Sequence, residues 1–306
     1  MGLNKSMQAA TLAILASAIL SFTDNFVGLV SQEAGLWQFQ LFRTLFALPI
    51  LFFGLYLFKI PYKIKSLKLV SIRSFIIASG LLVYFAALGF LPVAQAGAGL
   101  FSAPIWVLIF SIIVFKNKAK SSQIVAITLG FIGVLMLLQP STESLSFMSL
   151  FPLIAGAFYG FGMLITRYWC ANESASTLTI GVFITMGLVS AVMLIILSIW
   201  PVTSKEFLWQ EWKTITPTFI TLTLGQALGG VISVVLITQA YKIGEPSFTA
   251  VFEYTFLIFA ALWSYLLWEH TTNTLAIIGI MIILISGTSL SILSSSNKTA
   301  RSLKPS

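Results

Sequence analysis

Charged side chains are scarce in this chain of 306 residues: Asp, Glu, Lys and Arg make up 8% of it, against about 25% in soluble proteins. Cysteine and histidine occur once each, as Cys170 and His270. A single cysteine excludes an intramolecular disulfide, and these two residues are too few to build a metal site. We therefore expect neither a metal nor a cofactor.

Hydrophobic residues, in contrast, make up 58% of the chain, and the mean hydropathy is +0.99. This composition predicts a polytopic membrane protein, with the lipid bilayer as its first partner. The formal net charge is +8, but the basic residues are scattered through short connections and form no cluster that fits nucleic acid. We expect no nucleic-acid partner.

Ten apolar runs are each long enough to cross a bilayer as a helix. The first contains no turn signal and predicts one unbroken helix. The ten spans cover approximately residues 8–30, 36–58, 70–90, 94–115, 121–139, 147–168, 177–200, 216–240, 246–268 and 273–293. The predicted fold class is an all-α integral membrane protein with ten transmembrane helices.

Lysine and arginine fall almost entirely in alternate connections. One side of the membrane receives only Lys205 and Lys213. The other side receives Lys5, Lys59, Lys63, Lys65, Lys68, Arg73, Lys116, Lys118, Lys120, Arg167, Lys242, Lys298, Arg301 and Lys304. Because positive charge favours the cytoplasmic side, we expect both termini in the cytoplasm, with residues 294–306 as a disordered tail.

Ten spans divide into two halves of five, residues 1–140 and 141–293. An odd number of spans per half makes the second half enter the membrane from the opposite side, so the halves form inverted repeats. A hairpin rich in small residues recurs, 88–104 in the first half and 240–256 in the second. Inverted repeats are typical of secondary transporters, which bind substrate between the halves.

Four motifs resemble the EamA-type branch of the drug/metabolite transporter (DMT) superfamily: SFTDNFV (21–27), LFRTLFALP (41–49), ALGFLPVAQA (87–96) and TLGFIGVLML (128–137). The resemblance covers nearly the whole chain; the second half departs from it at Trp268-Glu269, where the family often has Gly-Glu. It implies a ten-helix carrier in the bacterial inner membrane that moves small organic solutes by alternating access. The cavity is expected between helices one, three, four, six, eight and nine. The stretch 36–43 is similar to that of carriers for riboflavin or S-adenosylmethionine.

Asp24 and Asn25 place a carboxylate and an amide inside the first apolar run. A charge at that depth costs about 2.5–3.5 kcal/mol and needs a partner, water or a proton. Arg43, in the second span, lies at a similar depth and is the expected salt-bridge partner. Two interpretations stay open: a structural pair, or a gate in which protonation of Asp24 releases Arg43 to bind an anionic group.

Glu253 is the third charge inside a span, and no cation in a neighbouring span matches its depth. It is interpreted as a proton-coupling carboxylate or as the counter-ion of a cationic substrate group. The alternative is a protonated acid that is hydrogen-bonded to a backbone carbonyl. Asp24 and Glu253 are thus the candidates for proton coupling.

Other polar and aromatic residues lie inside spans where lipid-facing positions favour Leu or Ile. A planar substrate ring could stack on the aromatic residues, and a cationic group could lie over a ring face, although packing explains any single one of them. The further cavity candidates are Tyr84, Ser102, Trp106, Tyr159, Gln226, Gln239, Tyr254 and Trp263.

The sequence thus predicts a secondary transporter of a small organic metabolite, such as an amino acid, a vitamin or a nucleoside-like solute, and not an enzyme. An intramembrane lipid-modifying enzyme would need clustered acids, histidines or a nucleophile near one surface. A non-transporting membrane assembly subunit would have a sealed interior. Substrate, direction, coupling by protons or by exchange, and a monomeric or homodimeric state stay open.

Overall fold

The computed structural model describes the backbone of residues 2–60, 62–87, 97, 99–139, 151–202, 207–271 and 273–302, and their side chains except those of 2–4, 151 and 290–302. The described part forms twelve helices. They are α1 (Gly2–Asp24), α2 (Val27–Glu33), α3 (Leu36–Leu57), α4 (Leu67–Ala87), α5 (Ala103–Ile113), α6 (Ser121–Leu138), α7 (Phe151–Tyr168), α8 (Ala175–Ile199), α9 (Pro217–Ile243), α10 (Pro246–Glu253), α11 (Thr255–Trp268) and α12 (Thr274–Ser302).

Seven segments of the described chain are long and apolar enough to cross a membrane, with α1–α2 and α10–α11 each counted as one. Helix α5 and the stretch Thr274–Ser289 of α12 are apolar but shorter. The protein is therefore an all-helical, multi-pass membrane protein in its described part. Helix α12 continues to Ser302, through most of the stretch expected to be disordered. The predicted boundary between the halves, at 140–141, lies outside the described residues.

The sequence predicted one unbroken helix for the first span, and that prediction is wrong. Helix α1 ends at Asp24, and α2 starts at Val27 after a turn. Side chains satisfy backbone groups at this break. Asn25 Nδ2 donates to the carbonyl of Ser21 (2.8 Å), and Gln226 Nε2 donates to the carbonyl of Thr23. The same two carbonyls also accept from the backbone N–H groups of Asn25 (3.2 Å) and Phe26 (3.0 Å), so the side-chain amides add a second donor to each carbonyl where the chain turns inside the membrane layer.

Two further spans are interrupted inside the apolar layer. In the ninth span, α10 ends at Glu253 and a single turn residue, Tyr254, separates it from α11. In the fourth span, a turn at Phe101 and Ser102 precedes α5. The predicted span 246–268 is confirmed in its bounds, with the turn at Tyr254 inside it. At that turn, the hydroxyl of Thr255 donates to the carbonyl of Phe252 (2.6 Å).

Helix packing follows a recurring arrangement. Helix α1 packs against α9 and α11, while α7 packs against α4 and α5. Similarly, α3 packs against α9 as well as α8, and α8 packs against α4. Helices α6 and α12 form an extensive contact with each other, where Gly133 and Gly279 let the two backbones approach: a Cβ on Gly133 would lie 2.8 Å from the carbonyl oxygen of Gly279.

The connections after α3, α5, α7 and α9 meet at one end of the bundle. The backbone N–H of Lys65 donates to the Glu173 carboxylate (3.0 Å), and Lys242 Nζ donates to the Glu173 carbonyl. Lys120 and Glu245 form an ion pair of 3.4 Å. We call this end the basic face. At the opposite face, the connections after α2 and α8 meet.

Candidate functional site

An internal cavity of about 150 Å³ lies among the helices of both halves. Its wall contains residues from the six spans that the family resemblance implied, together with Arg43 from α3 and Val182 from α8. Four charged side chains line it: Asp24, Arg43, Arg73 and Glu253. Much of the remaining wall is apolar, including Tyr84, Phe85, Phe101 and Phe256.

Glu253, the last residue of α10, is held by two tyrosines. Tyr159 on α7 donates to its Oε2 (2.8 Å), and Tyr241 near the end of α9 donates to its Oε1. The hydrogen bond to a backbone carbonyl that the sequence suggested as an alternative is not present among the described residues. Both carboxylate oxygens instead accept from phenols, an arrangement that suits an ionised carboxylate.

Arg73 was assigned to a cytoplasmic connection from the sequence, and that assignment is wrong. Its side chain is fully buried (0% exposed) and lines the same cavity as Glu253. The guanidinium donates to Thr166 Oγ1 (2.9 Å), the Leu178 carbonyl (3.0 Å) and Thr238 Oγ1 (3.3 Å). It therefore ties α4 to α7, α8 and α9. Arg73 lies six residues into α4, about 9 Å from its start, which is too deep for a connecting loop.

The expected salt bridge between Asp24 and Arg43 is absent. Both side chains line the cavity, but the ion pair within 4.0 Å in the described part of the chain is Lys120–Glu245. The Arg43 guanidinium lies near the rings of Phe39 (6.0 Å from its centroid) and Phe183 (5.7 Å). Its buried Nε has no hydrogen-bond partner in the described structure. Nor does a described residue donate to the Asp24 carboxylate.

The two sets of charges lie at different depths. Glu253 is seven residues into α10, which starts at the basic face, and Arg73 is similarly close to that face. Arg43 is seven residues into α3, which starts at the opposite face. Toward the basic face, the cavity therefore has two charges, Arg73 and Glu253, each of which is hydrogen-bonded to uncharged protein groups. Toward the opposite face it has two charges without hydrogen bonds to described residues.

Of the twelve cavity residues suggested by the sequence, Asp24, Arg43, Tyr84, Tyr159 and Glu253 lie in the wall. The other seven lie outside it, and their assignment to substrate stays a prediction. The side-chain amides of Asn25 and Gln226 donate to backbone carbonyls at the break between α1 and α2. The Ser102 hydroxyl donates to the Gly99 carbonyl (2.6 Å), and Gln239 is half-buried.

The three remaining aromatic candidates have protein neighbours. Trp106 Nε1 donates to Ser102 Oγ (3.2 Å), and its ring stacks on Phe110 at 5.7 Å. Trp263 Nε1 donates to the Ala18 carbonyl (3.0 Å). Tyr254 is fully buried against Gly130, where a Cβ would lie 2.5 Å from the ring. These contacts are those of packing residues.

Sequence reasoning missed Arg73, Tyr241 and Ser233 as site residues. Ser233 Oγ is buried and lines the cavity from the middle of α9. Tyr241 was read as part of a connection, because it follows the apolar run. No sequence signal marked Arg73, because the predicted third span starts at residue 70 and places this arginine in its first turn. In the described part of the chain, no three His, Cys, Asp or Glu residues lie close enough together to hold a metal ion.

The cavity thus brings four charged side chains together inside the helical bundle, and the bundle has a counterpart among solved structures. A crystal structure of a protein matches 94% of this chain and 98% of its own length with a TM-score of 0.74 at 14% sequence identity. This likeness shows the fold alone. Among named relatives, an S-adenosylmethionine uptake transporter of Rickettsia prowazekii (strain Madrid E) is 25% identical over 89% of this chain and 87% of its own.

A riboflavin transporter of Rhizobium johnstonii is 26% identical, but the alignment covers 51% of this chain and 50% of that one. The model of the EamA-like transporter family matches residues 7–139 and again residues 146–292. These two matches leave only short stretches of the sequence outside the family. The chain therefore belongs to the EamA-like transporter family, within the drug/metabolite transporter superfamily.

Proposed function

We propose that the protein is a secondary transporter that moves a small organic metabolite across the bacterial inner membrane by alternating access. The observation that carries this proposal is the internal cavity, which is lined by four charged side chains from both halves of the chain. Charges inside a membrane protein are costly, and they commonly mark solute and ion pathways. A purely structural subunit would have no need of a polar cavity.

The packing pattern supports an inverted repeat of ten helices, with halves at residues 1–140 and 141–293. If span n of the first half corresponds to span n of the second, α1 corresponds to α7, α3 to α8 and α4 to α9. The contacts α1–α9, α1–α11 and α3–α9 then correspond to α7–α4, α7–α5 and α8–α4, which are present as well. Such a two-fold relation lets the halves rock about a central site.

The same arrangement supports a topology with both termini in the cytoplasm. The connections that meet at the basic face carry Lys59, Lys63, Lys65, Lys116, Lys118 and Lys120. Lys213, in contrast, bonds to Gln38 and Gln32 at the opposite face. Because the side rich in Lys and Arg remains in the cytoplasm, the basic face is the cytoplasmic one.

The substrate is a small organic solute, and the aromatic part of the wall favours one with a planar ring. Tyr84, Phe85, Phe101 and Phe256 line the cavity, and the rings of Phe101 and Phe256 lie 5.2 Å apart. Relatives named for riboflavin and for S-adenosylmethionine support a ring-bearing solute. The family match names no substrate, so the proposed substrate class is argued from the cavity wall.

Glu253 is the candidate for proton coupling. It faces the cavity and lies at a helix break, where a change of its hydrogen bonds to Tyr159 and Tyr241 would change how α7, α9 and α10 pack. One charge that moves through 100 mV is worth about 2.3 kcal/mol, which is enough to drive accumulation. A facilitator or an exchanger would not need this proton.

The test is uptake by proteoliposomes of labelled amino acids, riboflavin, S-adenosylmethionine and nucleosides, with and without an imposed pH gradient. Wild type is compared with Glu253→Gln and with Glu269→Gln, which changes an exposed glutamate directly after the same span. We expect gradient-stimulated uptake of at least one solute, lost in Glu253→Gln and kept in Glu269→Gln. Uptake that is independent of the pH gradient and persists in Glu253→Gln would support transport but contradict proton coupling through Glu253. No transport of any metabolite in either direction would contradict the function.

A further inference from the structure

The two arginines of the cavity differ in their use of hydrogen-bond donors. Arg73 donates to three protein oxygens on three other helices. Arg43 is also buried, at 8% exposed, yet none of its five N–H groups donates to a described residue. A buried guanidinium with unused donors is unfavourable in the empty site and favourable once an acceptor arrives.

Aromatic rings hold the Arg43 guanidinium in place of hydrogen bonds. Phe39 lies one turn before it on α3, and Phe183 approaches from α8. Thr44 fixes the relative position of the two helices by donating to the Phe183 carbonyl (3.1 Å). Rings interact with the face of a guanidinium, so its edge, where the N–H groups point, stays available.

Helix α9 completes the surroundings of this edge. Gly230 leaves room for the guanidinium, because a Cβ there would lie 2.5 Å from Arg43 Nη2. Ser233, one turn further along α9, lines the cavity; its hydroxyl is 1% exposed and has no hydrogen-bond partner in the described structure. Two unpartnered donor groups, from α3 and α9, therefore border one cavity.

We propose that Arg43 and Ser233 form an oxyanion subsite that binds a carboxylate or phosphate group of the transported solute. The proposal rests on the proposed transport function and adds the chemical class of the substrate. A planar guanidinium fork matches both groups with two parallel hydrogen bonds, and a hydroxyl supplies a third donor. Gly230 lets the guanidinium approach α9, the helix that also carries Ser233, and both side chains line the same cavity.

Asp24 sets a competing charge at this subsite. It lines the same cavity and interacts electrostatically with Arg43 without touching it. An oxyanion at Arg43 has to approach against this carboxylate. Neutralising Asp24 should therefore strengthen oxyanion binding, whereas a merely structural Arg43 would leave binding unchanged.

The test uses the purified full-length chain in lipid nanodiscs and four compounds that share one ring: phenylacetate, phenyl phosphate, 2-phenylethylamine and 2-phenylethanol. Binding is measured by calorimetry and by thermal stabilisation. We expect at least one oxyanion to bind about tenfold more tightly than the alcohol. Arg43→Gln should abolish this preference, Ser233→Ala should weaken it about three- to tenfold, and Asp24→Asn should strengthen it. The two anions distinguish a carboxylate site from a phosphate site.

Control variants keep the result interpretable. Arg43→Lys retains the charge but not the fork, and Ser233→Ala removes one oxygen only, so at least one variant should fold like the wild type on gel filtration. Equal binding of alcohol and oxyanions, binding of no compound, or an oxyanion preference that survives Arg43→Gln would overturn the subsite. Transport of a solute without an oxyanion would also overturn it while leaving the transporter function intact. Oxyanion binding without transport of any solute would support the subsite but contradict the transporter function.

Discussion

Tyr159 and Glu253 are hydrogen-bonded to each other in the cavity wall: the phenol on α7 donates a 2.8 Å hydrogen bond to Oε2 of the carboxylate that ends α10. Tyr241 on α9 occupies the other oxygen. Three helices of the second half therefore meet at one carboxylate. This cluster lies at the turn between α10 and α11, where the regular helical hydrogen bonds of the backbone are interrupted. Its hydrogen bonds therefore stabilise the chain at this turn.

Tyr159→Phe should destabilise the protein, because it removes one donor and leaves a buried carboxylate oxygen unsatisfied. The expected loss is about 1–3 kcal/mol of unfolding free energy. Tyr254→Phe is the matched control, since the buried Tyr254 hydroxyl has no partner among the described residues. Thermal unfolding in one detergent compares the two. Equal loss in both variants would show that the Tyr159–Glu253 bond contributes nothing.

Arg73→Gln should lower thermal stability far more than Arg43→Gln does. Hydrogen bonds to charged groups contribute about 1.5–3 kcal/mol each, and Arg73 makes three of them to α7, α8 and α9. Arg43 makes none to a described residue, so its loss should change solute binding rather than folding. Melting temperatures of the two purified variants decide this. A larger loss at Arg43 would contradict the contrast.

Gly133→Ala should separate α6 from α12, because the new Cβ would meet the backbone carbonyl of Gly279, which cannot move aside on its own. Overpacking of this kind costs about 1–3 kcal/mol. Gly225→Ala, on α9, is the control, since nothing lies within 4 Å of a Cβ there. The order of the two melting temperatures is the measurement, and a Gly133→Ala protein as stable as Gly225→Ala would refute the close crossing.

The rate of thiol labelling at Cys170 measures how accessible the basic face is. Its thiol is 1% exposed, and Sγ donates to the Leu69 carbonyl at 3.7 Å, next to the Glu173 cap on Lys65. Burial raises the pKa of the Cys170 thiol, while the nearby Arg73 opposes that shift. Since only the thiolate reacts, labelling by maleimide at neutral pH should be slower than for a free cysteine and should still increase above pH of about 8.5.

Glu173→Gln should accelerate this labelling, because it weakens the cap that holds the two halves together at the basic face. Asn172→Cys in a Cys170→Ser background is the control: position 172 is exposed and should react quickly in all states. Mass spectrometry of time points gives the rates. Fast labelling of native Cys170 would mean that this face is already open.

Rare polar residues in apolar runs were informative about the cavity. Asp24, Arg43 and Glu253 stand out because a charge inside a span has few alternatives to facing the interior, and all three lie in the wall. The same reasoning did not find Arg73, because it lies near the start of its run and was indistinguishable from a loop charge. Tyr241 was missed for the corresponding reason at the end of α9.

The residues that contact these charged side chains could not be predicted from the local sequence. Equal depth along two helices suggested that Asp24 and Arg43 form a salt bridge, yet the rotation of α3 about its axis brings Arg43 to Phe183 and Gly230 instead. Likewise, Trp263 was assigned to the cavity because it lies well inside its span, where a lipid-facing residue would more often be Leu or Ile, but its Nε1 donates to the carbonyl of Ala18 on α1. Depth follows from the sequence, whereas the direction of a side chain depends on how distant helices pack.

The glycine-to-glycine crossing of α6 and α12 lies apart from the cavity: neither helix contributes a described residue to its wall. The contact that packs these two helices and the wall that the proposed solute would touch therefore lie in different parts of the described chain. Substitutions in the wall can change what is carried while the crossing is inherited intact. We therefore expect relatives of about a quarter identity, which are named for different solutes, to differ more in the cavity wall than at this crossing.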